Sequence, residues 1–140
     1  MADSSSPERK RFAFSGDMRL RRRSQFRVVL SAGIRKSIGP LNVYALPNEL
    51  GRPRLGLAVS RRVGPAAFRN RVKRRVREAF RLLQHDLPCG YDLVVRARPH
   101  DLLTLAEYQR ILFNAVRALH RSWANKADQP DSGSASSPGR

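Results

Sequence analysis

Phe68 to Leu83, near the middle of the chain, must satisfy two demands at once. Six of the nine residues from Arg69 to Arg77 are basic. At a helical pitch, however, Val72, Val76, Ala79, Phe80 and Leu83 fall on one stripe about 100° wide, the signature of a helix that docks on a core. Asn70, Lys73, Arg74, Arg77 and Arg81 fall on the opposite side, at spacings of three and four residues that make them surface neighbours. A merely solvated helix face mixes signs, because like charges at i,i+4 repel by about a few tenths of a kcal/mol per pair. Here Lys73/Arg77 and Arg77/Arg81 are like-charged, with only Glu78 to relieve them. A polyanion would remove that cost, so the segment reads as one face for the fold and one for nucleic acid.

The whole chain leans the same way. Its 28 Lys and Arg against 11 Asp and Glu give a net charge of +17, with a sequence pI near 11.7. Such an excess points to phosphate or anionic lipid as partner. No apolar run approaches the ~18 residues of a membrane span, and no apolar segment of signal-peptide type follows the N-terminus. The expectation is a soluble, cytoplasmic protein with no membrane partner. Cys89 is the single cysteine, which excludes an internal disulfide. Set between Pro88 and Gly90, it reads as a turn or core-edge thiol. His85, His100 and His120 show no zinc-ligand spacing.

A chain of 140 residues suits one domain with one modest core. Residues 1–17 open with Ser4-Ser5-Ser6-Pro7 and show little periodicity, as a disordered arm would. Seven of the fifteen residues from Arg9 to Arg23 are basic, and Phe12 and Phe14 lie among them. The arm can serve as a phosphate-sweeping segment or as a solubility tail. The folded domain is expected over residues 18–124, and a low-complexity, disordered tail over 125–140.

Within the domain, a first helix is predicted from Ser24 to Ala32. Ser24 is its N-cap, Phe26, Val29 and Leu30 line one face, and Gly33 follows as a left-handed C-terminal residue. Three strands follow at Ile34–Ile38, Leu41–Leu46 and Arg54–Ser60, joined by turns at Gly39-Pro40 and Pro47–Gly51. In the third, Leu55, Leu57 and Val59 alternate with Gly56, Ala58 and Ser60, which leaves a face of small residues open to close approach. In the second, Tyr44 shares a face with Asn42 and Leu46, where it can be a core residue or a base-stacking platform. A basic loop, Arg61-Arg62-Val63-Gly64, leads into the central helix. A fourth strand is predicted over Asp92–Ala97. A last helix is opened by a Thr104/Glu107 capping box and carries Tyr108, Ile111, Leu112, Ala115 and Leu119 on its apolar stripe as far as Trp123. The order is α-β-β-β-α-β-α, a single-domain α+β sandwich.

Catalytic chemistry is hard to find in this pattern. Glu49, Glu78, Asp86, Asp92, Asp101 and Glu107 are scattered over separate elements, with no two at the spacing of a two-metal site. The three histidines lack evident acid–base partners. No catalytic residue and no metal ligand is assigned.

Leu55-Gly56-Leu57-Ala58-Val59-Ser60-Arg61-Arg62-Val63-Gly64, followed by Arg69-Asn70-Arg71-Val72-Lys73-Arg74, resembles the signature of the bacterial ribonuclease P protein component. The hallmark of that family is an Arg-Asn-Arg sequence opening the central helix. The likeness runs from about Arg19 to Leu119 and takes in Phe26, Tyr44, Asp92 and Ala97-Arg98. It implies the ribonuclease P protein-like fold, with an uncommon left-handed βαβ crossover. It also implies a subunit of the ribonucleoprotein endonuclease that removes the 5′ leader of precursor tRNA. By that likeness the RNA subunit carries the chemistry, with Mg2+ bound by that RNA and the substrate and none by the protein. The implied partners are the catalytic ribonuclease P RNA and precursor tRNA, with no obligate protein partner. Arg61, Arg62, Arg69, Asn70, Arg71, Lys73, Arg74 and Arg77 are implied to bind the RNA subunit, and Phe26, Leu30 and Tyr44 the leader. Two positions depart from the family pattern. Leu30 stands where an aromatic is common, and Arg96, where an aliphatic is usual, either adds a phosphate contact or sits at an edge. Two further readings remain open: a generic basic or ribosomal-type RNA-binding protein with no role in 5′ processing, and a protein-only nuclease, which would need a carboxylate cluster.

Overall fold

A computed structural model describes residues 19–20, 22–88 and 90–128. Cys89, the expected arm at 1–17 and most of the expected tail lie outside them. The elements are α1 (Arg23–Ala32), β1 (Ile34–Ile38), β2 (Leu41–Pro47), β3 (Arg54–Val59), a single 3-10 turn (Arg61–Val63), α2 (Ala66–Leu83), β4 (Tyr91–Ala97) and α3 (Leu105–Asp128). The predicted order holds throughout.

The four strands form one mixed sheet in the order β1-β2-β4-β3. β1 pairs antiparallel with β2 and β2 with β4, while β3 and β4 run parallel and α2 forms the connection between them. Strand alternation sorts the side chains to two faces. Leu41, Val43, Ala45, Leu55, Leu93 and Val95 pack against Val72, Val76, Ala79 and Phe80 of α2 and Tyr108, Leu112, Ala115, Val116 and Leu119 of α3, forming the main core. A smaller cluster, Leu20, Val29 and Val94, lies on the other face beneath α1. The layers are therefore α1, the sheet, and the α2–α3 pair.

Magnitudes explain why α2 docks despite its charge. Each fully buried Val or Phe contributes about 1.5–3 kcal/mol, against about a few tenths for each like-charge pair. The one carboxylate on the helix is taken: the Arg81 guanidinium donates to Glu78 through Nε at 3.0 Å and Nη2 at 2.5 Å. That bond, more than the charge itself, holds the Glu78 carboxyl below its usual range. The capping box on α3 forms as predicted, with the Glu107 N–H donating to Thr104 Oγ1 and the Thr104 N–H to Glu107 Oε1, at 3.1 and 2.9 Å.

Three expectations are corrected. α1 begins at Arg23, so Ser24 lies within the helix. Gln25 reaches back instead, its Oε1 accepting the Arg22 N–H at 3.1 Å. Gly33 is not left-handed but extended, at φ −81°, ψ 166°. Its requirement for glycine is steric: a Cβ there would stand 2.5 Å from the Val29 carbonyl oxygen and 2.8 Å from that of Ala45. α3 runs on to Asp128, past Asn125, where the tail was placed. The Trp123 indole N–H donates to the Ala45 carbonyl at 2.9 Å, and the Lys126 ammonium sits 5.5 Å from the ring centroid, so the last turns have something to hold. No glycine or proline interrupts the sequence between Leu105 and Pro130.

The start of β4 carries a part-buried bidentate ion pair. Arg54 donates to both oxygens of the buried Asp92 carboxylate at 2.7 Å, and Asn48 Nδ2 donates to Oδ1 at 2.8 Å. The bidentate bond raises the Arg54 pKa above its usual value.

Because two backbone carbonyls crowd the space where a Cβ would go, Gly33→Ala should destabilise the domain by about 1–3 kcal/mol. Thermal or urea unfolding checks this, and an unchanged midpoint would refute the steric account.

Candidate nucleic-acid interfaces

The residues expected to face an RNA subunit gather around the N-terminal half of α2 and the turn before it, but they do not form one uniform face. Arg61 and Arg62 are exposed on the 3-10 turn, which buried Val63 pins to the domain. Asn70, Arg71 and Arg74 are exposed, whereas Lys73 and Arg77 are half-buried. Burial, with a smaller contribution from the nearby Arg19 charge, pushes the Arg77 guanidinium below its usual pKa. A charge held under that strain favours an anionic neighbour.

The Arg-Asn-Arg triplet divides. At ~100° per residue, Arg69 and Arg71 lie on opposite flanks of the helix. Arg69 is half-buried and turns back on the loop, its Nε donating to the Gly64 carbonyl at 3.0 Å. It thereby fixes the turn that presents Arg61 and Arg62. Arg71 faces the other way and, with Arg74, Arg75, Glu78 and Leu105, lines a shallow hollow of about 440 Å³ between α2 and the start of α3. Arg75 is held there by its Nη1 bond to the Leu103 carbonyl at 2.5 Å.

The second group, Phe26, Leu30 and Tyr44, comes together on the other side of the sheet. All three are half-buried, packed with Leu46 against Leu20, Val29 and Val94. The small-residue face of β3 accommodates this packing, since a Cβ on Gly56 would lie 2.6 Å from the Phe26 ring. What approaches β3 closely is thus the chain's own first helix. Tyr44 is neither fully core nor free; it stands in register between Arg35 on β1 and Val94 on β4. The result is an apolar, partly open cleft between α1 and the sheet.

His100 and His120 have structural partners. His100 donates from Nδ1 to the Arg98 carbonyl at 2.7 Å and accepts the Tyr108 hydroxyl at Nε2, at 2.8 Å. His120 Nδ1 meets the Tyr91 hydroxyl at 2.9 Å, and burial pushes both tyrosines above their usual pKa. Among the described residues no three His, Cys, Asp or Glu side chains gather as metal ligands would. No helix formed by them is long and apolar enough to cross a membrane.

Sequence reasoning did not find the Arg54–Asp92–Asn48 cluster; through the resemblance it singled out Arg96, but not the bonded residues Ser37, Asn42 and Arg98 beside it. Asn42 shares its strand face with Tyr44, and that alternation was the available signal.

The family model described as Ribonuclease P matches residues 14–122. The ribonuclease P protein component of Desulfovibrio desulfuricans is 36% identical over 114 residues, which is 80% of this chain and 88% of that protein. Among solved structures, the RNase P protein from Thermotoga maritima superposes with a TM-score of 0.65 at 31% identity, covering 74% of this chain and 96% of that one. The Staphylococcus aureus RNase P protein does so with a TM-score of 0.62 at 27% identity, over 76% and 94%. With its signature, its mixed sheet and most of its length matched in this way, the chain belongs to the ribonuclease P protein component family.

Proposed function

We propose that this protein is the RNA-binding subunit of a ribonuclease P ribonucleoprotein, gripping the catalytic RNA with the α2 surface and the 5′ leader of precursor tRNA in the cleft beneath α1. The observation that carries the reading is the sheet itself, which separates a cationic helical surface from a half-apolar aromatic cleft. Two RNAs can be held at once without competing. Arg61, Arg62, Asn70, Arg71, Lys73, Arg74 and Arg77 supply phosphate contacts on the first surface, and Arg69 sets the loop beside them. Phe26 and Tyr44 offer rings to successive bases on the second, with Leu30 completing the wall. Stacking tolerates any base, as a subunit serving many leaders requires, and is worth about 1–3 kcal/mol per base.

The hydrolysis is assigned to the RNA. Glu78, Asp92 and Glu107 are engaged by Arg81, by Arg54 with Asn48, and by Thr104. On this reading the magnesium ion is held by the RNA and the substrate. The protein's part is to orient the leader and to neutralise phosphate, which lessens the work left to cations.

The decisive experiment is cleavage of precursor tRNA with and without a bacterial ribonuclease P RNA over a range of magnesium concentrations. The protein alone should not cut, and together with the RNA it should lower the magnesium requirement. Robust cleavage by RNA-free protein would establish a protein-only nuclease instead, and binding without any effect on cleavage would favour a generic RNA-binding role. In the assembled enzyme, Arg71→Ala should weaken affinity for the RNA subunit about fivefold and leave circular dichroism and melting unchanged, because the side chain is exposed. A collapse of the fold would put Arg71 in the wrong place. Tyr44→Ala should weaken binding of leader-bearing precursor by about 1–3 kcal/mol, with little effect on mature tRNA or on assembly. Equal losses for both tRNAs, with a lowered melting temperature, would make Tyr44 a core residue only.

A further inference from the structure

Beyond the cover of α1, the sheet face carries a row of donors that the cleft does not use. Cross-strand register places Ser37 beside Asn42, and Asn42 beside Arg96, whose other neighbour is Ala58. Ser37 and Arg96 are exposed, Asn42 and Ala58 half so. Ser37 Oγ donates to Asn42 Oδ1 at 2.6 Å, and Arg98 Nη1 donates to the same oxygen at 3.2 Å. A second Arg98 nitrogen, Nη2, donates to the Gly39 carbonyl.

These bonds fix the Asn42 amide. Arginine can only donate, so the atom facing Arg98 must be the oxygen, and the Nδ2 hydrogens remain as donors. None of the described carboxylates pairs with Arg96, and its cross-strand neighbours are neutral. The row thus presents an amide donor and a guanidinium side by side, with the local acceptor already occupied and the small Ala58 beside them. That arrangement of donors, one of them charged, suits an anion better than a cation.

Its position names the anion. Arg96 lies two residues along β4 from Val94, which faces Tyr44, so it is the diagonal neighbour of that ring at roughly 7–8 Å, within reach of a long side chain. We propose that Asn42 and Arg96, with Arg98 orienting the amide, form a phosphodiester subsite of single-stranded RNA, one step along the leader from the base at Tyr44. This rests on the leader-cleft reading and extends it. The cleft grips a base by its face, and the adjoining row grips the backbone by its charge. Arg96 becomes the cation of that grip.

The test uses the reconstituted holoenzyme and precursor tRNAs whose leaders are lengthened one nucleotide at a time, with mature tRNA as control. Arg96→Gln should leave the melting temperature and RNA-subunit affinity unchanged. It should weaken binding about fivefold, and only once the leader extends past Tyr44. The log–log salt dependence for those long leaders should become shallower by about 0.7, the loss of one phosphate contact on a single strand. Arg96→Lys should restore most of the slope. Equal weakening for mature tRNA, or a loss of RNA-subunit affinity, would move the contact to another RNA and overturn the subsite. Tyr44→Ala, run in parallel, separates the two levels of the argument. A leader effect from Tyr44→Ala with none from Arg96→Gln removes the subsite and leaves the cleft standing, whereas no leader effect from either removes both.

Discussion

β4 is made late in the chain yet occupies the middle of the sheet, and the rest of the domain depends on its burial from both sides. Leu93 and Val95 seal against α2 and α3 while Val94 seals beneath α1. A strand covered on two faces can tolerate a carboxylate only if its oxygens are fully satisfied. Asp92 meets that condition through Arg54, one strand across, and Asn48, in the loop after β2. The same contact therefore ties the loop after β2 and the start of β3 to a strand some forty residues further along the chain. Once β4 is fixed, strand alternation puts α2 and α3 on one side of the sheet and α1 on the other.

Those surfaces obey different physics. On α2 the electrostatic cost of clustered cations is carried by the apolar stripe beneath them, so the helix can stay charged without being unstable. In the cleft, the apolar contacts of Phe26, Leu30 and Tyr44 are only partly closed, which leaves part of their surface for a ligand. Like charge presented on a rigid helix gives salt-sensitive grip without sequence preference; half-buried rings give grip that salt hardly touches. On the proposed reading, one structured RNA and many unrelated single strands are held on separate surfaces.

Much of this was legible in the chain. The stripe of Val72, Val76, Ala79 and Phe80, the Thr104/Glu107 box and the alternation of β2 each depend on residues a few positions apart, and periodicity records such relations directly. What escaped were contacts between distant residues. Gly33 looked like a helix terminator because glycine so often is one; the crowding by Ala45 exists only when β2 has come alongside. The Arg54–Asp92 pair spans two strands joined through a helix, and nothing local marks it. Within the Arg-Asn-Arg triplet, the sequence shows three polar residues in a row, but only the loop carbonyl at Gly64 reveals that one arginine looks inward. The candidate cleft was assembled in the same way, from a helix and two strands whose shared face no single segment displays.

The central place of β4 also bears on how the protein is born. As the chain emerges from a ribosome, α2 is complete before the strand that forms the floor of its docking site has been synthesised. For that interval its valines have no core to enter, and its arginines stand on an unsupported segment in a cell full of RNA. The parallel β3–β4 pairing must also wait for the whole crossover, a non-local closure of the kind that slows folding. Nascent copies thus meet polyanions before they have a fold to protect them, so newly made chains face a kinetic contest between closing the sheet and adhering to whatever nucleic acid is nearest.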